Sequence, residues 1–136
     1  MRGVLRAFVL VVIGCWASAL VAEDEFDGRP MLKACGDYLA GLAAGDKSAG
    51  TFESGKCAGF VRGAIAAHAL DVAVARSRNG QTSSRICIPE RASLTDEVRV
   101  FHVYLKAHES KLDSPGVELL YAALLDAWPC PERPAS

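Results

Sequence analysis

The stretch "RICIPERASLTDEV", Arg85 to Val98, decides how this chain folds. One residue separates Cys87 from Pro89, and Pro89 keeps Ile88 out of the helical region. Four residues later "SLTD" begins a capping box, with Ser93 as N-cap and Asp96 at the third helical position. A cysteine therefore stands just before a helix start. It is a metal ligand, a nucleophile or one end of a disulfide, and the compartment decides among them.

The N-terminus supplies the compartment. Arg2 and Arg6 precede an uncharged, mostly apolar run from Ala7 to Leu20, then small residues, then Glu23, Asp24 and Glu25. This is the pattern of a secretory signal peptide. The run is shorter than the ~20 residues that span a bilayer, and no basic stop-transfer flank follows. Cleavage is expected after Ala22, with Ala19 as the competing site. "VIGC" at Val12–Cys15 loosely resembles a lipobox. The apolar run continues past it, so Cys15 is read as part of the signal. The expected organisation is a signal peptide over residues 1–22 and one domain over 23–136.

Removing the first 22 of the 136 residues leaves 114, enough for one domain with a core. The whole chain has 15 Lys+Arg and 16 Asp+Glu, and Arg2 and Arg6 leave with the signal, so the net charge moves from −1 to −3. That balance offers no electrostatic footprint for nucleic acid and none for a membrane surface after signal cleavage.

Four cysteines remain: Cys35, Cys57, Cys87 and Cys130. An even number in a small exported domain reads as a disulfide framework. Structural zinc sites use close pairs such as C-x2-C, which are missing here. A catalytic cysteine would need a local nucleophile signature, and none surrounds the four. No cofactor or metal is implied.

Helical spacing dominates the mature chain, and no useful length alternates like a strand. A first helix is expected from about Arg29 to Ala44, with Met31, Cys35, Leu39 and Leu42 on one face and Gly45 as its end. A second runs from about Ser54 to Arg78. Cys57, Val61, Ala64, Ile65, His68 and Val72 share a face there. Glycine weakens a helix by about 1 kcal/mol against alanine, so Gly59 and Gly63 suggest a closely packed neighbour. A third helix runs from Ser93 to about Glu109 with Leu94, Val98, Phe101, Leu105 and His108 as its stripe. Ser114-Pro115 starts a fourth, with Val117, Leu120, Leu124 and Trp128 inward, and Pro129 and Pro131 stop it. The fold class is therefore all-α, a small disulfide-stapled bundle of about four helices.

The short link between the third and fourth helices makes them an antiparallel pair. Helices of about 16 and 14 residues span roughly 24 and 21 Å. Cys87 precedes one and Cys130 follows the other, so the hairpin brings both sulfurs to one end. Cys87–Cys130 is the expected bridge and Cys35–Cys57 follows by elimination. A swapped connectivity stays open, because a level hairpin would not align Cys35 with Cys57.

Catalysis needs a nucleophile, a base and a stabilising group together. The nearest approach is His68 and Asp71, three apart on one helix, a spacing that more often marks a half-buried histidine. His102 is expected to face solvent, and His108 to sit at a helix C-terminus where the dipole favours it. No catalytic residue is assigned.

The segments "DGRPMLKAC" from Asp27, "CAGFVRGAIAAH" from Cys57, "CIPE" from Cys87 and "VFHVYLKAHESKLDSPGVELLYAALLDAWPCP" ending at Pro131 occur in that order. In these the chain resembles the Rap/Tai family of immunity proteins of bacterial type VI secretion systems. The resemblance covers nearly all of the mature chain. It implies a small α-helical periplasmic protein, often a homodimer, that binds and blocks a peptidoglycan-cleaving cell-wall amidase toxin. It does not identify recognition residues.

The polar loop "RNGQTSSR", Arg78 to Arg85, is the candidate recognition surface, with Gly45 to Gly55 as a second candidate segment, because loops vary on rigid scaffolds without disturbing the core. Arg78 and Arg85 are suited to a carboxylate, and Asn79 and Gln81 offer paired donors and acceptors. The same loop also reads as an ordinary solvated connection. The competing function is a periplasmic helical stress chaperone or adaptor. That class carries charged tails at both ends, whereas this chain ends in a short "PERPAS".

Overall fold

The structure, a computed structural model, describes residues 24–45, 51–80 and 84–131. The expected signal peptide, most of the link between the first two helices and Gln81 lie outside the described residues. Four α-helices account for most of the described chain: α1 (Gly28–Ala43), α2 (Phe52–Asn79), α3 (Leu94–Ala107) and α4 (Gly116–Ala127), with a 3-10 turn at Glu109–Lys111. Among the described residues the β contribution is two isolated bridges, Asp27 with Pro115 and Ile86 with Pro129. The expected all-α stapled bundle is the fold.

Local chemistry explains the helix starts. Thr51 Oγ1 accepts from the Ser54 N–H at 3.2 Å and begins α2. At α3 the Ser93 hydroxyl accepts from Asp96 N–H, while the Asp96 carboxylate accepts from Ser93 N–H at 3.0 Å. The Ser93 hydroxyl, which donates to the Asp96 carboxylate at 2.6 Å, and then the Ser93 N–H hold that carboxyl below the usual carboxylate range. Ser114 was expected to cap α4, but Pro115 occupies the N-cap and no side chain caps there. Instead the α4 start is satisfied through tertiary backbone contact, with Gly116 N–H donating to Phe26 C=O at 2.9 Å.

That contact requires glycine. A Cβ on Gly116 would run into the Phe26 carbonyl, and one on Gly28 would meet the Leu119 side chain at 2.5 Å and the Leu112 carbonyl oxygen at 2.9 Å. The segment before α1 is thereby sewn against the start of α4. Gly59 and Gly63 behave differently from expectation. Among the described residues nothing lies within 4 Å of a Cβ at either, so no described helix packs against them.

The core joins Met31, Ala34 and Cys35 of α1 to Val98, Phe101 and Leu105 of α3 and Leu119, Leu120, Ala123 and Leu124 of α4. Phe101 stacks with Phe60, and Phe60 with Phe26, at ring separations of 6.0 and 5.6 Å. Two expected core positions are exposed. Leu42 lies on the last turn of α1, beyond the reach of its neighbours, and Val117 lies one position off the α4 seam that Leu119 and Leu120 occupy. Periodicity assigns an approximate face, but neither its exact centre nor how far the neighbouring helix extends along it.

Cys35 bonds to Cys57 with Cα atoms 5.1 Å apart, and Cys87 to Cys130 with Cα atoms 4.8 Å apart. The inner bridge is wholly buried between α1 and α2. The outer bridge closes the α3–α4 hairpin at its open end.

α2 is the exception to compact packing. At 1.5 Å per residue its 28 residues run about 42 Å, against roughly 24 Å for α1 and less for the others. It places only Cys57 and Val61 among the buried apolar residues. It is also the one described helix that is long and apolar enough to cross a membrane by length and composition, although its first turns are stapled into the core.

Candidate functional site

The candidate site is the connection from α2 to α3, and both of its ends are built. α2 ends at Gly80, which takes the left-handed conformation at φ 69° and donates its N–H to Arg76 C=O at 2.8 Å. Glycine adopts that conformation without the Cβ penalty other residues incur. Arg76 and Arg78 stand exposed in the last turn, where the negative end of the helix dipole favours them.

The chain is caught again at Ser84. Its Oγ lies 3.1 Å from His68 Nε2, 3.1 Å from the Ile86 carbonyl oxygen and 3.2 Å from the Ile86 amide nitrogen. A hydroxyl has one proton, so the consistent arrangement has Oγ–H donating to Ile86 C=O while accepting from Ile86 N–H and His68 Nε2–H. The His68 ring meets Tyr121 of α4 edge-on at 5.6 Å. His68 thus serves the loop, and the sequence pairing with Asp71 is not the contact it makes. Gly80 lies twelve residues beyond His68, about 18 Å along the helix axis, so Ser84 sits well back along α2 from the helix end.

Beyond Ser84 the connection is clamped. Cys87 N–H donates to Trp128 C=O at 2.9 Å, Cys130 N–H donates to Arg85 C=O at 2.8 Å, and the Cys87–Cys130 bond locks this short ladder. Arg85 is exposed on it. Of the four recognition candidates, the structure therefore sets Arg78 on the helix side and Arg85 on the clamp side. Asn79 is the last residue of α2, and Gln81 lies outside the described residues.

Other groups were not legible in advance. Lys56 has a nearly buried side chain that bridges Glu53 at 2.8 Å and Glu25 at 3.3 Å, and the Glu53 hydrogen bond raises its pKa. Glu97 is buried, and burial raises its carboxyl pKa against the lowering attraction of Arg62. His102, expected in solvent, is half-buried: its Nε2 lies 3.3 Å from the Cβ position of Gly36. Burial first, and Lys106 second, lower its pKa. His108 does close α3. Its Nδ1 lies 2.8 Å from the Tyr104 carbonyl oxygen, so Nδ1 carries the proton, and its ring stacks on Tyr104 at 3.9 Å. These two rings line an open groove of about 390 Å³ between α3 and α4, with Val100, Val103 and Ala123.

Among the described residues no three His, Cys, Asp or Glu side chains gather where they could hold a metal ion. The arrangement is that of a stapled helical scaffold with a polar connection whose two described ends are fastened. Over residues 22–130 the chain matches the family model of Rap1a immunity proteins, and it belongs to that family. It is therefore an immunity protein, and such a protein works by binding a toxin effector of type VI secretion. No curated protein and no solved structure matches the chain.

Proposed function

We propose that the chain is exported to the periplasm by residues 1–22, folds there as a single domain from residue 23, and binds and blocks a peptidoglycan-cleaving amidase. Export supplies the oxidising compartment that two disulfides need. The observation that carries the reading, beyond family membership, is the double fastening of the α2–α3 connection. A helix cap holds one end of the connection and Ser84, His68 and a disulfide clamp hold the other, so Arg78 and Arg85 stand on fixed ends.

Arg78 and Arg85 supply forked donors for a carboxylate on the toxin, and Asn79 and Gln81 supply neutral hydrogen bonds beside them. Blocking needs only occupation of the toxin's cleft, so the protein has no catalytic task and needs no cofactor. The test is growth of cells carrying a cell-wall amidase from the same genome in their periplasm, with and without this protein. Rescue is expected. Loss of rescue is expected when Arg78, Asn79, Gln81 and Arg85 are all changed to alanine while the thermal midpoint holds. Unchanged rescue by that variant would move the interface elsewhere, and failure of the unaltered protein to rescue against any such amidase would reject the target class.

A further inference from the structure

The two disulfides differ in what can reach them. Cys35 and Cys57 are 0 % exposed and belong to the same core as Met31, Ala34 and Val61. Cys87 is exposed and Cys130 half-buried. Thiol–disulfide exchange needs a thiolate to approach one of the two sulfurs, so access decides which bridge of a folded protein reacts. A thiol in solution meets Cys87, and it reaches the inner pair only by opening the core.

The exposed bridge also holds together a pairing too short to hold itself. Among the described residues, the backbone bonds between the connection and the end of α4 are Cys87 N–H to Trp128 C=O and Cys130 N–H to Arg85 C=O, around the Ile86–Pro129 bridge. A pairing of that length is not stable alone. Arg85 stands between this clamp on one side and Ser84, held on His68, on the other. Cutting the bridge leaves the Ser84 contact as the tie on Arg85. The helices themselves stay together, because Phe101, Leu105, Leu120 and Leu124 still share a core and Cys35–Cys57 still joins α1 to α2.

We propose that Cys87 is an exchange site for a protein dithiol of the Cys-X-X-Cys class, and that the outer bridge is a redox gate on the α2–α3 connection, fixed when oxidised and loosened when reduced. The exchange site stands on exposure and position, whereas the effect of the gate on inhibition rests on the amidase contact proposed above. The donor's first thiolate attacks Cys87 Sγ. A mixed disulfide forms, and the Cys87–Cys130 bond breaks with its electron pair leaving on Cys130 Sγ. The donor's second thiolate then attacks the donor sulfur of the mixed disulfide, and Cys87 leaves as a thiolate. The donor loses two electrons and becomes a disulfide, the bridge gains two, and the two protons from the donor's thiols end on Cys87 and Cys130.

The test uses reduced thioredoxin as the probe on the oxidised mature protein, with iodoacetamide quenching and peptide mass spectrometry. Cys87 and Cys130 should become alkylated at least tenfold faster than Cys35 and Cys57, and the two rates should converge in urea, where access is equal. Thioredoxin whose second active-site cysteine is replaced by serine should be trapped on Cys87. Equal rates in the folded protein, or trapping on Cys130, overturn the exchange site. Amide hydrogen exchange of the selectively reduced protein reads the gate. The Cys87 and Cys130 amides should lose at least tenfold in protection while those of Phe101 and Leu105 keep theirs. Unchanged protection at Cys87 and Cys130, or equal loss at all four, overturns the gate. The selectively reduced protein, and separately Cys87→Ser with Cys130→Ser at unchanged helical circular dichroism, should inhibit the amidase at least tenfold less well, and reoxidation should restore the former. Inhibition indifferent to the bridge overturns the gate's effect on binding. Failure of the oxidised protein to inhibit any such amidase rejects the amidase reading instead, and the alkylation and amide-exchange results then decide the exchange site and the gate by themselves.

Discussion

Removing the two bridges separately should reveal a difference that loop length alone ranks the wrong way. Closing the 43-residue loop between Cys87 and Cys130 is worth about 4 kcal/mol in chain entropy, and closing the 22-residue loop between Cys35 and Cys57 about 3 kcal/mol. Burial reverses the order. Cys35 and Cys57 are 0 % exposed, so Cys35→Ala with Cys57→Ala also leaves unfilled volume in the core, about 1 kcal/mol for each sulfur lost. Cys87 is exposed and Cys130 half-buried, so Cys87→Ala with Cys130→Ala opens almost no cavity. The inner double variant should lose about 5 kcal/mol and the outer about 4. Either is a large fraction of the stability of a domain of this size. The assay is urea unfolding followed by far-ultraviolet circular dichroism, with a fixed concentration of sucrose in all samples to keep both variants folded. An outer loss exceeding the inner by more than 1 kcal/mol, or a loss below 1 kcal/mol from either pair, would refute the reasoning.

Three further outcomes follow from local geometry. Ser93→Ala removes the α3 cap and should cost about 1 kcal/mol in the same urea assay, with no comparable loss from Ser110→Ala in the 3-10 turn. Gly116→Ala forces a methyl group onto the Phe26 carbonyl and should cost about 2 kcal/mol, whereas Gly59→Ala, where a Cβ meets no described atom, should add up to about 1 kcal/mol. The His102 pKa is depressed in the fold, so the unfolded chain takes up the proton first. Stability should therefore be full above the unfolded histidine value of about 6.5 and fall as pH drops through it towards the folded value, and His102→Gln should flatten that part of a urea-midpoint profile.

What could be read in advance was local or followed from chain geometry. Ser93 and Asp96 are three residues apart, so the cap is complete within one turn. The Cys87–Cys130 pairing follows from a short hairpin whose ends must meet. What could not be read depends on groups distant in sequence. Ser84 meets His68 sixteen residues away, and the Gly116 contact needs Phe26, ninety residues earlier. The spacing of Gly59 and Gly63 suggests a close neighbour, but among the described residues no helix packs against either. The α3 periodicity sets His102 off the main stripe and predicts solvent for it, yet the side-chain-free Gly36 on α1 leaves room for its ring. Arg78 and Arg85 are exposed where a recognition loop would need them, while Gln81 lies outside the described residues.

The central claim is that this immunity protein neutralises an amidase by direct contact through the α2–α3 connection. Isothermal titration of purified mature protein into a purified cell-wall amidase from the same genome, with peptidoglycan hydrolysis followed in parallel, tests it most directly. Saturable binding is expected, with hydrolysis falling in step with occupancy and with Arg78→Ala plus Arg85→Ala weakening both by at least tenfold. Undiminished hydrolysis at saturating immunity protein, or full inhibition by the doubly substituted variant, would contradict it.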